Sequence, residues 1–211
     1  QETLGAELAE VAAHKAGIIK PGVPVVIARQ DEAASAVLEA QAERVGAPLL
    51  RQGVEWDAYL SAGNLVVQTE SRVLDLPRPT LEGAHQVDNA GLACVAMMCW
   101  RAMSDSAFGV GVAWADWPAR LQPLTRGALS APIRAGGGEV WVDGGHNAHA
   151  GAALARALPL SEAHAPLDSI SSQHAPSLAA AMQNAAPFPA PRVLICGSFL
   201  LAAQALAAEG A

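Results

Sequence analysis

Three short apolar runs most constrain what this chain can fold into. They are VPVVIA at 23–28, EVWVD at 139–143 and RVLIC at 192–196. Each has strand length and β-branched content, and each is followed by turn residues and then by an Ala-rich stretch with helical spacing. Strands that alternate with helices predict α/β layers. The composition agrees. Of 211 residues 52% are apolar, only 4% are aromatic and 16% are charged, so the core must be Ala, Leu and Val packed on sheet. That much apolar content excludes a disordered chain.

The periodicity predicts helices over 3–15, 32–45, 85–103, 105–113, 147–157, 177–186 and 199–208. Asp31 caps the second of these and Gly46 ends it. Strands are expected at 23–28, 65–69, 72–76, 121–125, 139–143 and 192–196, with a hairpin at Glu70-Ser71. Pro77-Arg78-Pro79 reads as a stiff linker, and 159–176 as polar and poorly periodic. The rigid WADWPAR run at 114–120 marks a domain boundary near 115, dividing the chain into 1–115 and 116–211. There is no internal repeat.

The net charge of −7 excludes nucleic acid as a bulk partner, since there is no basic stripe to neutralise phosphates. Small anions need only a few placed cations. No run reaches the 18 or so apolar residues of a membrane span, and residues 1–5 lack the basic start of a signal peptide. Three cysteines (Cys94, Cys99, Cys196) without a C-x-x-C pair argue for a reducing compartment, so a cytoplasmic location is expected.

Four segments carry candidate chemistry. The first is Asp143-Gly144-Gly145-His146-Asn147, at the end of a strand and the start of a helix. Ligands in open α/β sheets bind at the carboxyl ends of strands. The glycines would let backbone N–H groups approach an anion, Asp143 could take ribose hydroxyls, and His146 could meet a phosphate. The plainer reading has Asp143 and Asn147 capping the helix. Asp143, His146 and His149 also have a spacing that a metal could use, though i,i+3 is unusual for a zinc pair. The second segment is 14–22, which holds both lysines of the chain, Lys15 and Lys20. Lys15 either interacts with the helix carbonyls or, partly desolvated, becomes reactive. The third is 83–90, with His85, Gln86, Asp88 and Asn89 at a helix start. The fourth is Arg120, a candidate phosphate clamp just after a rigid turn.

In this order the four segments resemble the bifunctional folylpolyglutamate synthase/dihydrofolate synthases, relatives of the Mur ligases. The family's E-K-A-G-I-x-K corresponds to 14–20 with His14 for Glu, and its H-Q-x-x-N-A to 85–90. Its G-R-x-Q corresponds to 119–122 with Ala119 for Gly, and its D-x-A-H-N-P to 143–148 with Gly145 and Ala148 departing. A fifth segment, C-G-S-L-Y-L-A-G, corresponds to 196–203 in altered form.

The resemblance implies part of a Mur-ligase-like central ATPase domain over 1–115, then a Rossmann-like C-terminal domain. It implies a monomeric, ATP- and Mg2+-dependent ligase that joins L-glutamate to dihydropteroate or folates through an acyl phosphate. Lys15 would be carbamylated and hold magnesium, while Asn89, Arg120, Asp143 and His146 would surround ATP between the domains. The family's phosphate loop, G-x-x-x-x-G-K-[ST], has no counterpart here. Strand–helix units between the Asp143 segment and the Cys196 strand also look missing. The expectation is therefore a partial ligase that alone neither hydrolyses ATP nor ligates glutamate. The rival readings are a nucleotide-binding remnant without chemistry and, on Asp143, His146 and His149, a metal-dependent hydrolase.

Overall fold

The computed structural model describes residues 7–157 and 174–210. Two compact units emerge: Gln1–Thr80 with His85–Ala115, and Leu81–Ala84 with Asp116–Ala211.

The first unit opens with α1 (Leu8–Ala16), β1 (Val25–Ile27), α2 (Glu32–Val45) and β2 (Leu49–Arg51). β1 and β2 pair in parallel, with Val25 opposite Leu49. Small residues set this packing: Ala16, Ala42 and Ala47 are buried with Ile19, so α1 and α2 approach closely. The ends of α2 follow local chemistry. The Asp31 side chain accepts the Ala33 amide at 3.3 Å, and Gly46 closes the helix in a left-handed conformation at φ 66°.

An antiparallel meander follows, β3 (Trp56–Ser61), β4 (Asn64–Thr69) and β5 (Val73–Leu76). Alternate residues of β4 and β5 (Leu65, Val67, Leu74, Leu76) are fully buried. Against them lie Cys94 and Val95 of α3 (Ala84–Trp100) and Phe108 and Val112 of α4 (Asp105–Ala113). Gly91 on α3 has no room for a side chain, because a Cβ there would collide with that of Ala58.

The second unit holds β6 (Gln122–Pro123), α5 (Ala131–Ala135), β7 (Glu139–Val142), α6 (Ala148–Ala157), α7 (Leu178–Ala185), β8 (Arg192–Ile195) and α8 (Phe199–Gly210). β7 is central. It pairs antiparallel with β6 and parallel with β8, Val142 opposite Ile195. Its buried Val140 and Val142 join Ile133, Ile195, Ala202 and Ala205 in one core. The Glu209 carboxylate ties the last turn of α8 to the 126–130 loop, accepting from the amides of Arg126, Gly127 and Ser130 and from the Ser130 hydroxyl.

Several expectations need correction. The strand expected over 121–125 has only two residues, Gln122–Pro123, because Leu121 takes a positive φ of 43° that breaks extended backbone. β2, β3 and the five-residue α5 were not anticipated. α1 extends to Ala16, and residues 3–6 of its expected range lie outside those described, as does most of 159–176.

Candidate functional site

Near the carboxyl ends of β7 and β8, two of the expected site residues meet at one aromatic ring. Phe199, the first residue of α8, is 54% exposed. The Arg120 guanidinium lies 5.4 Å from its ring centroid, and the His146 ring lies 5.4 Å away at a tilt of 57°. A cation over an aromatic face is held by the ring quadrupole. His146, an exposed residue, is fixed further by a 3.0 Å hydrogen bond from Nδ1 to the Gly144 carbonyl.

Asp143 sits behind this group and is only 6% exposed. Its Oδ2 accepts the Leu121 amide at 2.9 Å and its Oδ1 the Gly145 amide at 2.6 Å. The neighbouring Gly144 amide donates to the Ala119 carbonyl at 2.9 Å. Both glycine amides are thus committed within the protein, which corrects the expectation that they cradle an anion. These glycines serve packing instead. A Cβ on Gly144 would lie 2.5 Å from the Phe199 ring, and one on Gly145 would lie 3.0 Å from Ala150 Cβ. Of the two expected caps, Asn147 acts as one, its Oδ1 accepting the Ala150 amide at 2.8 Å, whereas Asp143 braces the loop before β6. Beside it, burial and then the Asp143 charge push the Cys196 thiol above its usual range, so Cys196 is a poor nucleophile.

The first unit carries the other two candidates. Lys15 is exposed on the last turn of α1, not desolvated as the reactive-lysine reading requires. Asn89 is exposed on the second turn of α3 and donates to Gln86 Oε1 at 3.1 Å. Sequence reasoning missed the group next to it. The buried Gln52 amide donates to Asp88 Oδ1 at 2.6 Å and to Asp57 Oδ1 at 3.3 Å, and its oxygen accepts the Arg29 amide at 3.1 Å. Arg29 in turn pairs with Asp57 at 2.6 Å. This network ties the start of α3 to the ends of β1 and β2. Only tertiary contact assembles it, since Gln52 and Asp88 lie 36 positions apart.

Among the described residues no group of three or more His, Cys, Asp and Glu could hold a metal ion. The side chain of His149 lies outside the described residues. No described helix is long and apolar enough to cross a membrane.

No protein-family model matches the chain. Its fold is shared with folylpolyglutamate synthases of known structure. An apo form of L. casei FPGS superposes with a TM-score of 0.72 at 23% identity, over 97% of this chain and 57% of that one. The bifunctional folylpolyglutamate synthase/dihydrofolate synthase of Yersinia pestis gives 0.75 at 21%, over 99% and 58%. Sequence narrows the class. The dihydrofolate synthase/folylpolyglutamate synthase of Bacillus subtilis is 32% identical over 154 residues, 68% of this chain and 34% of that protein. Its Mycobacterium tuberculosis counterpart is 31% identical over 173 residues, 74% and 33%. The chain is thus a relative of the dihydrofolate synthase/folylpolyglutamate synthases, and it spans about a third of the length of these two.

Proposed function

We propose that this chain is part of an ATP-dependent ligase that adds L-glutamate to dihydropteroate or to folates. The observation that carries the reading is the Arg120–Phe199–His146 group at the strand ends, in a chain whose sequence relatives are these synthases. A solved FPGS complex with AMPPCP and folate shares the fold at a TM-score of 0.76 and 22% identity.

In the proposed reaction a substrate carboxylate oxygen attacks the terminal phosphorus of ATP and ADP leaves. The glutamate amine then attacks the acyl carbon, the amide forms and phosphate departs. Each step concentrates negative charge on phosphoryl oxygens, and fixed cations lower that cost. Arg120 fits the task. Its planar fork can take two phosphate oxygens at once, and it lies over the Phe199 ring. His146 packs against the same ring. Asn89 is the nucleotide contact assigned to the first unit, and Asp143 lies beside the cluster. Lys15 is assigned to carbamylation on its place in the 14–20 segment. Magnesium would offset phosphoryl charge when bound; among the described residues no group of three or more His, Cys, Asp and Glu stands ready to hold it.

The test is a ligation assay on the full reading frame that carries this chain. ATP, glutamate and dihydropteroate or a folate should give ADP and a glutamylated product, and Arg120→Met should reduce kcat/KM by about 100-fold. Absence of glutamate-dependent ADP release in the wild type would refute the assignment.

A further inference from the structure

We infer that Phe199 is a positioning residue for Arg120: its ring holds the guanidinium while leaving the hydrogen-bond donors of the fork free for an anion. The ligand arm of this inference rests on the reading just proposed; the geometric arm does not.

The core does not account for Phe199. Its side chain is largely exposed, and the buried residues of α8 are Ala202 and Ala205. The start of α8 does not depend on it either, because the Ser198 hydroxyl accepts the Leu201 amide at 3.0 Å. The ring instead meets the candidate site. The Arg120 guanidinium and the His146 ring each lie 5.4 Å from its centroid, and Gly144 packs so closely that a Cβ there would come within 2.5 Å. Arg120 itself is half-buried. Arg29, Arg51, Arg72 and Arg192 each pair with a carboxylate, whereas among the described residues none pairs with Arg120. That difference matters for an anion site. A carboxylate partner would neutralise the cation and occupy its fork. An aromatic face attracts the cation through its quadrupole and leaves the in-plane N–H donors unused. Ordering a rotamer-rich side chain on binding costs affinity. A ring that orders Arg120 beforehand removes part of that cost.

The experiment uses the 211-residue chain in two arms. The first needs no ligand. The NMR resonance of the Arg120 side-chain Nε–H is compared in the wild type and in Phe199→Leu, which keeps apolar bulk but removes the ring. The ring current should displace the wild-type resonance upfield, and Phe199→Leu should return it to the position of a solvated arginine. An unchanged resonance overturns the inference.

The second arm titrates ATP and inorganic tripolyphosphate. Phe199→Leu should weaken both equally, by about 2- to 5-fold, the factor that a cation–π contact at an exposed site supplies. A trifluorinated phenylalanine in place of Phe199 keeps the shape of the ring but strips negative charge from its face. It should weaken both ligands as Phe199→Leu does, and Phe199→Tyr should lose less than either. None of these changes should add to Arg120→Met, the signature of one residue acting through another. A loss confined to ATP would mean that the ring stacks on the base, and a loss that persists in Arg120→Met would mean direct contact with the ligand; either overturns the inference. So does wild-type affinity in the fluorinated protein, which also decides the matter should Phe199→Leu not fold. If the wild type binds neither ligand, the proposed function fails and the resonance arm alone decides whether the ring holds Arg120.

Discussion

Removal of the Glu209 carboxylate should loosen the last turn of α8 from the second unit. Four donors converge on it: the amides of Gly127 at 2.8 Å, Ser130 at 2.9 Å and Arg126 at 3.2 Å, and the Ser130 hydroxyl at 2.7 Å. Ser130 is fully buried, so its amide has no water to turn to. The Ser130 hydroxyl keeps one partner, because it also accepts from Arg134 Nε at 2.9 Å. A hydrogen bond to a charged acceptor contributes about 1.5–3 kcal/mol, and a buried donor left unpaired costs about 1–3 kcal/mol. Glu209→Ala should therefore cost about 3 kcal/mol. For a chain of this size that lowers Tm by roughly 6–12 °C. The pH dependence gives an independent check. Burial raises the Glu209 pKa, but the hydrogen bonds from Ser130, Gly127 and Arg126 outweigh it, so the folded-state pKa lies below the usual carboxylate value. A depressed carboxylate pKa means stabilisation that is complete above the unfolded value of about 4.3 and lost as pH falls through the folded one. The Tm gap between wild type and Glu209→Ala, measured by scanning calorimetry, should be widest near neutrality and narrow towards acid. A shift below about 1 °C at neutral pH, or a gap that does not depend on pH, would refute the reasoning.

Three further outcomes follow from the packing. Gly91→Ala should destabilise the first unit by about 2 kcal/mol or more, since the new Cβ collides with Ala58 where α3 meets β3; urea unfolding reads it. Gly144→Ala should cost little stability but should displace the exposed Phe199 ring, so ATP affinity should fall while Tm stays nearly constant. Glu55 is held down to about 2, chiefly by its side-chain hydrogen bond with Arg51 and against the opposing cost of burial. Glu55→Gln should accordingly flatten the acid limb of the stability curve between pH 4 and pH 2, measured by thermal unfolding across that range.

Much of the fold was legible because local chemistry agreed with tertiary packing. α2 matched its expected bounds, since Asp31 and Gly46 mark both ends. The turn at Glu70-Ser71 between β4 and β5 was also visible. The turn between β3 and β4 was not. Ala62 and Gly63 both take positive φ, at 49° and 89°, and alanine disguises a position that usually advertises itself with Asn, Asp or Gly. β2 escaped because three residues carry no period, and it exists only through pairing with β1. The candidate site divides in the same way. Arg120, Asp143 and His146 stand in recognisable segments, whereas Phe199 read as one more apolar residue opening a helix. The Glu209 brace spans 79 to 83 positions and leaves no local signal at all. The internal hydrogen bonds of Gly144 and Asp143 were hidden for a related reason. A pattern names residue types, but only coordinates show that their amides and oxygens are already engaged.

The central claim is that the Arg120–Phe199–His146 group receives the phosphates of a nucleotide. Calorimetric titration of ATP into the wild-type chain and into Arg120→Met tests it most directly. The account predicts saturable binding by the wild type, weakened about 10-fold or more in the variant. Identical titrations for the two proteins, or none for the wild type, would contradict it.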